Sequence, residues 1–148
     1  MPNNQRVGIK SNKEVGDNFE NASKIYLEKI LMRALERNVS VSIGISKTKK
    51  SHRFDIGDKE TIVECKSHRW TTGDNIPSAK LTVWNEAMYY FSLAPSNLKK
   101  IFFVEKDFSK KRKKTLGQYY IEAYGHLIPD DVEIWEFDER TKTHKKIN

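Results

Sequence analysis

The most informative stretch of the chain is HRFDIGDKETIVECKSH, residues 52–68. Its second half, TIVECKS at residues 61–67, is rich in β-branched residues and is bounded by turn residues, a pattern that predicts a β-strand. Residues 53–56 predict a partner strand, and the sequence GDK at residues 57–59 predicts the turn between them. We therefore expect a hairpin of two antiparallel strands.

The side chains of the second strand are expected to divide between the two faces of the sheet. Successive side chains on a strand point to opposite faces, so Ile62, Glu64 and Lys66 share one face. Val63 and Cys65 point the other way. The predicted strand thus carries a carboxylate and an amine together on one face.

The register of the hairpin sets where Asp55 lies relative to that face. A turn centred between Asp58 and Lys59 pairs Asp55 with Ile62. Asp55 would then lie diagonal to Glu64, about 7–8 Å away or less, which is near enough to share a metal ion. A slip of one residue would turn Asp55 to the opposite face.

Asp55, Glu64 and Lys66 together indicate chemistry on a phosphodiester. Two carboxylates give a hard divalent cation the oxygen ligands that Mg²⁺ prefers. A lysine beside them would orient an attacking water and offset charge that builds on a phosphate. Glu-X-Lys alone is a weak motif, and the alternative interpretation is an ordinary hairpin whose charged residues face solvent.

The composition predicts one folded domain in this chain of 148 residues. Hydrophobic residues make up 37% and aromatic residues 11%, enough for a core at this length. The sequence has no run of about 18 apolar residues that would span a membrane, and its start lacks the apolar segment of a signal peptide. Cys65, the one cysteine, predicts a buried thiol in a reduced, cytoplasmic protein.

The net charge of +7 suits a polyanionic partner. The basic residues form three clusters, and the first, next to Asp55 in sequence, is the one we expect to contact phosphates. Each phosphate neutralised would add about 0.9 to the slope of log affinity against log salt. We expect the last cluster to be a solvated tail. The clusters are Lys47, Lys49, Lys50, His52 and Arg53; Lys110, Lys111, Arg112, Lys113 and Lys114; and His144, Lys145 and Lys146.

Hydrophobic periodicity predicts three helices and five strands. Residues 1–11 are expected to be a loose N-terminal arm and residues 12–148 the folded domain. Asp17 is the expected N-cap of the first helix, with Glu20 completing a capping box. The predicted helices are residues 17–36, 78–93 and 115–127, and the predicted strands are residues 39–45, 53–56, 61–67, 100–105 and 132–137.

This order of elements predicts an α/β single domain with a mixed central sheet flanked by helices. The first three strands would form a meander, and the strands that follow helices would join the sheet by crossover connections. The expected arrangement is an α-β-β-β-α-β core followed by a C-terminal helix and strand.

That order, with Asp55 on the second strand and Glu64 and Lys66 on the third, resembles the PD-(D/E)XK nuclease superfamily. The resemblance covers roughly residues 16–138 and implies a restriction-endonuclease-like fold. Phe54 replaces the proline that names the motif, which is not a metal ligand and which many members lack. The resemblance implies a Mg²⁺-dependent DNA endonuclease, with Mn²⁺ as the alternative ion, that cuts duplexes as a homodimer.

The resemblance also implies roles for individual residues. Asp55, Glu64, Lys66 and Glu20 would be catalytic. The metal would be held by the three carboxylates and by the main-chain carbonyl of Cys65.

Glu20 follows Gly16 on the first helix, as a metal-site glutamate does in many members of the superfamily. The capping-box role is an alternative for Glu20. Glu28, two turns further along the helix, is the rival candidate for the metal site.

Residues after the third strand and on the second helix are candidates for contact with nucleic acid. His68 shares the face of the catalytic strand residues, although it would also suit a solvated strand end. Arg69 and Trp70 would contact a phosphate and a base, or Trp70 would cap the core. Asn85 and Tyr89 match a spacing found on the second helix of some relatives, although Tyr89 would also suit the core. The predicted nucleic-acid contacts are Lys49, Lys50, Arg53, His68, Arg69, Trp70 and Asn85.

Three alternative functions remain open from the sequence. A structure-selective nuclease of the Holliday-junction type would use the same residues on a different substrate. A non-catalytic nucleic-acid-binding domain could share the fold, although it would gain nothing from two carboxylates aimed at a phosphate. A ribonuclease would use the same metal chemistry.

Overall fold

The computed structural model describes residues 11–148, which form three α-helices and eight strands. Residues 1–10, most of the predicted arm, lie outside the described part. The helices are α1 (Asn12–Leu31), α2 (Ser78–Leu93) and α3 (Leu116–Tyr124), and a short 3₁₀ turn (Gly125–Leu127) follows α3. The strands are β1 (Glu36–Ile43), β2 (Lys50–Gly57), β3 (Thr61–Lys66), β4 (Lys99–Glu105), β5 (Phe108–Ser109), β6 (Lys114–Thr115), β7 (Val132–Asp138) and β8 (Thr143–Lys146).

Six of these strands form one mixed sheet in the order β1-β2-β3-β4-β7-β8. The first three form an antiparallel meander, β3, β4 and β7 run parallel, and β8 returns antiparallel to β7. Crossovers through α2 and α3 lead into β4 and β7, because parallel neighbours cannot be joined by a tight turn. The predicted α/β class with a mixed, helix-flanked sheet is confirmed.

Helices cover both faces of the sheet, and each face has its own hydrophobic core. On one face α1 places Phe19 and Leu27 against β3, β4 and β7. On the other face α2 and α3 surround the buried Trp84, Phe91 and Tyr120. Residues 100–105 of β4 are all buried, as expected for a strand covered on both sides.

The first helix begins at Asn12, so the predicted start at Asp17 is wrong. Ser11 is the N-cap, and its hydroxyl accepts the Glu14 N–H at 3.1 Å. Glu20 therefore lies in the middle of α1 and does not form a capping box. Neither α1 nor any other helix within residues 11–148 is long and apolar enough to cross a membrane.

The third basic cluster belongs to a strand, so the predicted tail is wrong. His144 pairs with Phe137, and Lys145 pairs with Glu136 across the β7–β8 ladder. The sequence THKK of β8 is largely exposed and shows no apolar alternation. Backbone pairing with β7 creates this edge strand, and its lysines fit the usual protection of an exposed sheet edge.

Candidate active site

The pairing of β2 with β3 sets the geometry of the site. Ile56 pairs with Val63, so the predicted pairing of Asp55 with Ile62 is wrong by two residues. A shift of two preserves the face on which each side chain lies. Extending this register by one residue sets Asp55 opposite Glu64, and the two carboxyl groups are close enough to form a hydrogen bond.

The register differs because the turn lies one residue later in the chain than predicted, at residues 58–60 in place of 57–59. The Asp58 carboxylate accepts the main-chain N–H groups of Glu60 and Thr61 at 2.8 and 2.9 Å. The Arg33 guanidinium, just after α1, binds the same carboxylate. These contacts centre the turn on residues 58–60, and the Arg33 contact comes from a residue remote in sequence.

β2 pairs regularly with β3 through Gly57 and Ile56, and this pairing does not extend to Asp55. There the Asp55 Oδ2 accepts the Cys65 N–H at 2.8 Å, in place of a main-chain carbonyl. Phe54 and Ile56 pack in the cores on opposite faces of the sheet, so β2 twists sharply at Asp55. The two strands separate from this point, and we call the gap between residues 50–55 and 64–66 the fork.

Glu64 lies inside the fork with 8% of its surface exposed. Burial, a hydrogen bond to the Asp55 carboxyl group and repulsion by the Asp55 charge raise the pKa of Glu64 to about 9. Lys66, half-buried on the same strand, acts in the opposite direction on that pKa. The structure therefore brings together the three residues on which the sequence prediction rests.

Glu20 of α1 interacts with Asp55 from the face of the sheet on which α1 packs. Burial and the charge of Asp55 raise the pKa of Glu20, whereas an ion pair with Arg37 of β1 lowers it. Glu28, the rival candidate, instead accepts the Leu35 N–H at 2.8 Å and stabilises the chain after α1. Of the two glutamates, Glu20 is the one whose carboxyl group is coupled to Asp55.

The donor atoms at the fork suit a hard divalent cation. Glu64 is buried beside the half-buried Asp55, so negative charge on both groups is unfavourable, and a bound cation would offset it. Within residues 11–148, no group of three or more His, Cys, Asp and Glu side chains is arranged to hold a metal ion. Glu20 is bound by Arg37, so the fork presents two carboxyl groups together, those of Asp55 and Glu64. The main-chain carbonyl of Cys65 follows Glu64 on the same strand.

Cys65 is a buried, free thiol, as predicted. Burial and then the neighbouring carboxylates of Asp55, Glu20 and Glu64 raise the pKa of this thiol well above its usual range. A thiol that stays protonated is neither a nucleophile nor a metal ligand. The contribution of Cys65 to the site is therefore confined to its main-chain atoms.

Lys49, Lys50 and Arg53 lie on the β1–β2 hairpin, which forms one side of the fork. Because β2 is antiparallel to β3, these residues lie at the same end of the sheet as Lys66. All three are exposed, and Lys49 donates to the Gly44 carbonyl at 2.6 Å. Their exposure fits the predicted contact with phosphates.

His68 and Arg69 follow β3 and are held by neighbouring elements. The Trp84 indole N–H donates to Nδ1 of His68 at 2.8 Å. Arg69 forms an ion pair with Glu105 at the end of β4. His68 is therefore a half-buried, anchored side chain on the α2 side of the fork, and its interpretation as a solvated strand end is wrong.

Trp70 packs in the core, which agrees with the second of its two predicted roles. It is 8% exposed, and its ring lies edge-on to Tyr119. Its main-chain and indole N–H groups donate to Asp107, at 2.9 and 3.1 Å. The ring is not presented to a base in this conformation.

The two residues of the α2 pair, Asn85 and Tyr89, differ in their exposure. Asn85 is half-buried and accepts the Tyr120 hydroxyl at 2.9 Å. Tyr89 is 57% exposed, so its interpretation as a core residue is wrong. Asn85 is thus fixed by α3, and Tyr89 lies on the surface of α2.

Three residues near the site were missed from the sequence. Arg37 binds Glu20, Glu105 binds Arg69, and Asp107 holds Trp70. Each acts on a partner 17 to 37 residues away, so no local pattern identifies it.

Comparison of the chain with protein families and with curated proteins returned no match. Its function is therefore inferred from the geometry of the fork.

Proposed function

We propose that this protein is a Mg²⁺-dependent DNA endonuclease of the restriction-endonuclease-like kind. The observation that supports this most is the meeting of Asp55 and Glu64 with Lys66 in the fork. An ordinary hairpin with a solvated charged face would not bury Glu64. A carboxylate pair that is unfavourable by itself is expected where a cation is bound.

The proposed roles follow from the positions of the side chains. Asp55, Glu64 and the main-chain carbonyl of Cys65 would hold the ion. When bound, Mg²⁺ would supply Lewis-acid chemistry that lowers the pKa of water and offsets charge on the phosphate. Lys66 would hold the attacking water by a hydrogen bond and stabilise negative charge on the scissile phosphate.

Glu20 would complete the site through hydrogen bonds to water. Its ion pair with Arg37 orients the carboxylate from the α1 face. A residue held in this way supports the ion without needing to contact it, which is consistent with the two-carboxylate arrangement in the structure.

Substrate and assembly are the finer parts of the proposal. DNA is the proposed substrate because the exposed basic residues of the β1–β2 hairpin lie beside the fork. A junction-selective nuclease would use the same residues, and a binding domain without catalysis would leave the buried Glu64 beside Asp55 unexplained. The homodimer, the cytoplasmic location and use of Mn²⁺ stay predictions.

The test is cleavage of supercoiled plasmid by the wild-type protein and by Lys66→Ala. We expect nicking or linearisation in Mg²⁺, none in EDTA, and a loss of at least about 100-fold in Lys66→Ala. Lys59→Ala is the matched control, because Lys59 is an exposed lysine at the opposite end of β3. It should cleave like the wild type.

Cleavage that persists in EDTA, or equal activity of Lys66→Ala and wild type, would contradict the proposal. A panel of linear duplexes, four-way junctions and RNA then separates the substrate classes. Preference for the junction would replace the endonuclease assignment with the structure-selective alternative.

A further inference from the structure

The second basic cluster forms the tip of a small hairpin, which we call the basic hairpin (residues 108–115). Its two strands pair Phe108 with Thr115 and Ser109 with Lys114. The side chains of Lys110, Lys111 and Lys113 in the turn are exposed, and within residues 11–148 none of these three pairs with a carboxylate, whereas Lys114 binds Glu122 at 2.7 Å. The tip is therefore an uncompensated positive surface.

The basic hairpin is fixed to the loop that follows β3. Arg112 points inward, donating to the Asp74 carbonyl at 2.6 Å and lying 5.1 Å from the centre of the Trp70 ring. The Ser109 hydroxyl donates to the Asp74 carboxylate at 2.7 Å. Arg112 thus anchors the hairpin, Lys111 adds a longer contact of 3.4 Å to the Gly73 carbonyl, and the side chains of Lys110 and Lys113 remain on the surface.

This anchoring places the basic hairpin beside the fork. β3 and β4 are parallel neighbours, so both strands finish at the same end of the sheet. Lys66, at the end of β3, and the basic hairpin, which follows β4, therefore lie at that end. β2 lies on one side of β3 and β4 on the other. The β1–β2 hairpin and the basic hairpin therefore stand on opposite sides of the fork.

One feature of the basic hairpin besides its charge suits a nucleic-acid strand. Phe108 is 55% exposed beside the lysines, and an aromatic ring among basic side chains is typical of surfaces that contact sugars or bases.

We propose that the basic hairpin is a second DNA-contacting element, which holds the sugar-phosphate backbone on the β4 side of the fork. The inference rests on the proposed function, since it assigns how the same site engages its substrate. DNA would cross the end of the sheet at which β3 and β4 finish. It would contact the β1–β2 hairpin on one side and the basic hairpin on the other, with the scissile phosphate at Lys66.

The test is binding of a short fluorescent DNA duplex in EDTA, measured by anisotropy over a series of salt concentrations. The variant is Lys110→Ala/Lys113→Gly. Lys113 has a φ of 57°, a backbone conformation that glycine adopts readily, so the change removes charge without disturbing the turn. The matched control is Lys29→Ala/Lys59→Ala, which removes the same charge from exposed positions on α1 and the β2–β3 turn.

We expect the hairpin variant to bind several-fold more weakly than the wild type. Its slope of log affinity against log salt should fall by about 0.9 for each phosphate that the variant no longer neutralises. The control should retain the wild-type slope. Equal slopes for the hairpin variant and the wild type, or no binding of the duplex by the wild type, would overturn the inference.

The two proposals fail in different ways. If the wild type cleaves plasmid in Mg²⁺ but the hairpin variant keeps its affinity and slope, the role of the basic hairpin is wrong and the nuclease stands. If the hairpin variant binds DNA more weakly but the wild type cleaves no substrate, the DNA surface stands and the nuclease is wrong.

Discussion

At the scale of single residues, Asp55 and Glu64 show how function and stability oppose each other in this protein. The Asp55 carboxylate stabilises the sheet by accepting the Cys65 N–H in place of a main-chain carbonyl. Its charge, however, makes ionisation of the buried Glu64 unfavourable. Acidic groups whose ionisation is opposed by burial and by a neighbouring carboxylate are common in sites that bind cations or transfer protons. Glu64 therefore offers a direct physical test of the site in the absence of substrate.

We predict that Glu64→Gln removes a pH-dependent loss of stability. The pKa of Glu64 is raised from 4.5 to about 9 in the native state, so the native protein holds a proton that the unfolded chain releases. Its contribution to the free energy of unfolding is complete below pH 4.5 and is lost as pH rises through 9. The advantage of Glu64→Gln over wild type should grow across that range, by at most about 1.4 kcal/mol per pH unit.

Urea denaturation at several pH values measures this difference, and Glu139→Gln is the control because Glu139 is exposed. Mg²⁺ should reduce the advantage of Glu64→Gln at high pH, since the cation would offset the buried charge. A difference between wild type and Glu64→Gln that stays constant with pH would show that Glu64 ionises normally.

At the scale of elements, the turn between β2 and β3 controls the fork. Gly57 ends β2, and a Cβ at this position would lie 2.4 Å from the Thr61 carbonyl oxygen. That atom belongs to the backbone, so the turn itself would have to move. The register that sets Asp55 level with Glu64 therefore depends on a residue with no side chain.

We predict opposite effects for two glycine substitutions. Gly57→Ala should lower the free energy of unfolding by about 1–3 kcal/mol and reduce cleavage as well. Gly16→Ala, in the interior of α1 with nothing within 4 Å of its Cβ, should raise it by roughly 0.5–1 kcal/mol. Urea denaturation measures both, and a Gly57→Ala protein as stable as wild type would show that the turn is not tightly packed.

The elements most readily predicted were those with a strong local pattern. Helix α2 spans Ser78–Leu93 as expected, because its apolar residues recur at helical spacing before Pro95. β8 was missed because its polar, exposed residues carry no such pattern. The start of α1 was misplaced because Asp17 is a good N-cap residue in isolation, and Ser11 caps the longer helix that packs on the sheet.

At the scale of the whole molecule, two hydrophobic cores share the same central strands. Trp70 and Trp84 lie in the core beneath α2, and Trp135 lies in the core beneath α1. β4 contributes alternate residues to both cores, so loss of one core would expose the strand that supports the other. This arrangement favours a single cooperative unit.

We predict one unfolding transition that is the same on both faces of the sheet. The midpoint in urea should agree between tryptophan fluorescence and far-UV circular dichroism. A Trp135→Phe protein reports the α2 face, and a Trp70→Phe/Trp84→Phe protein reports the α1 face. Separate midpoints for fluorescence and circular dichroism within either variant would show that the cores unfold independently.

The order of the three helices and of the first five strands of the sheet, the face shared by Glu64 and Lys66, and the burial of Cys65 could all be predicted, because alternation and periodicity are local properties of the chain. The twist of β2 at Asp55, the pairing of Glu20 with Arg37, and the position of the basic hairpin beside the fork arise only in the folded molecule. These depend on which strands become neighbours and on contacts between residues far apart in sequence, which no local pattern encodes.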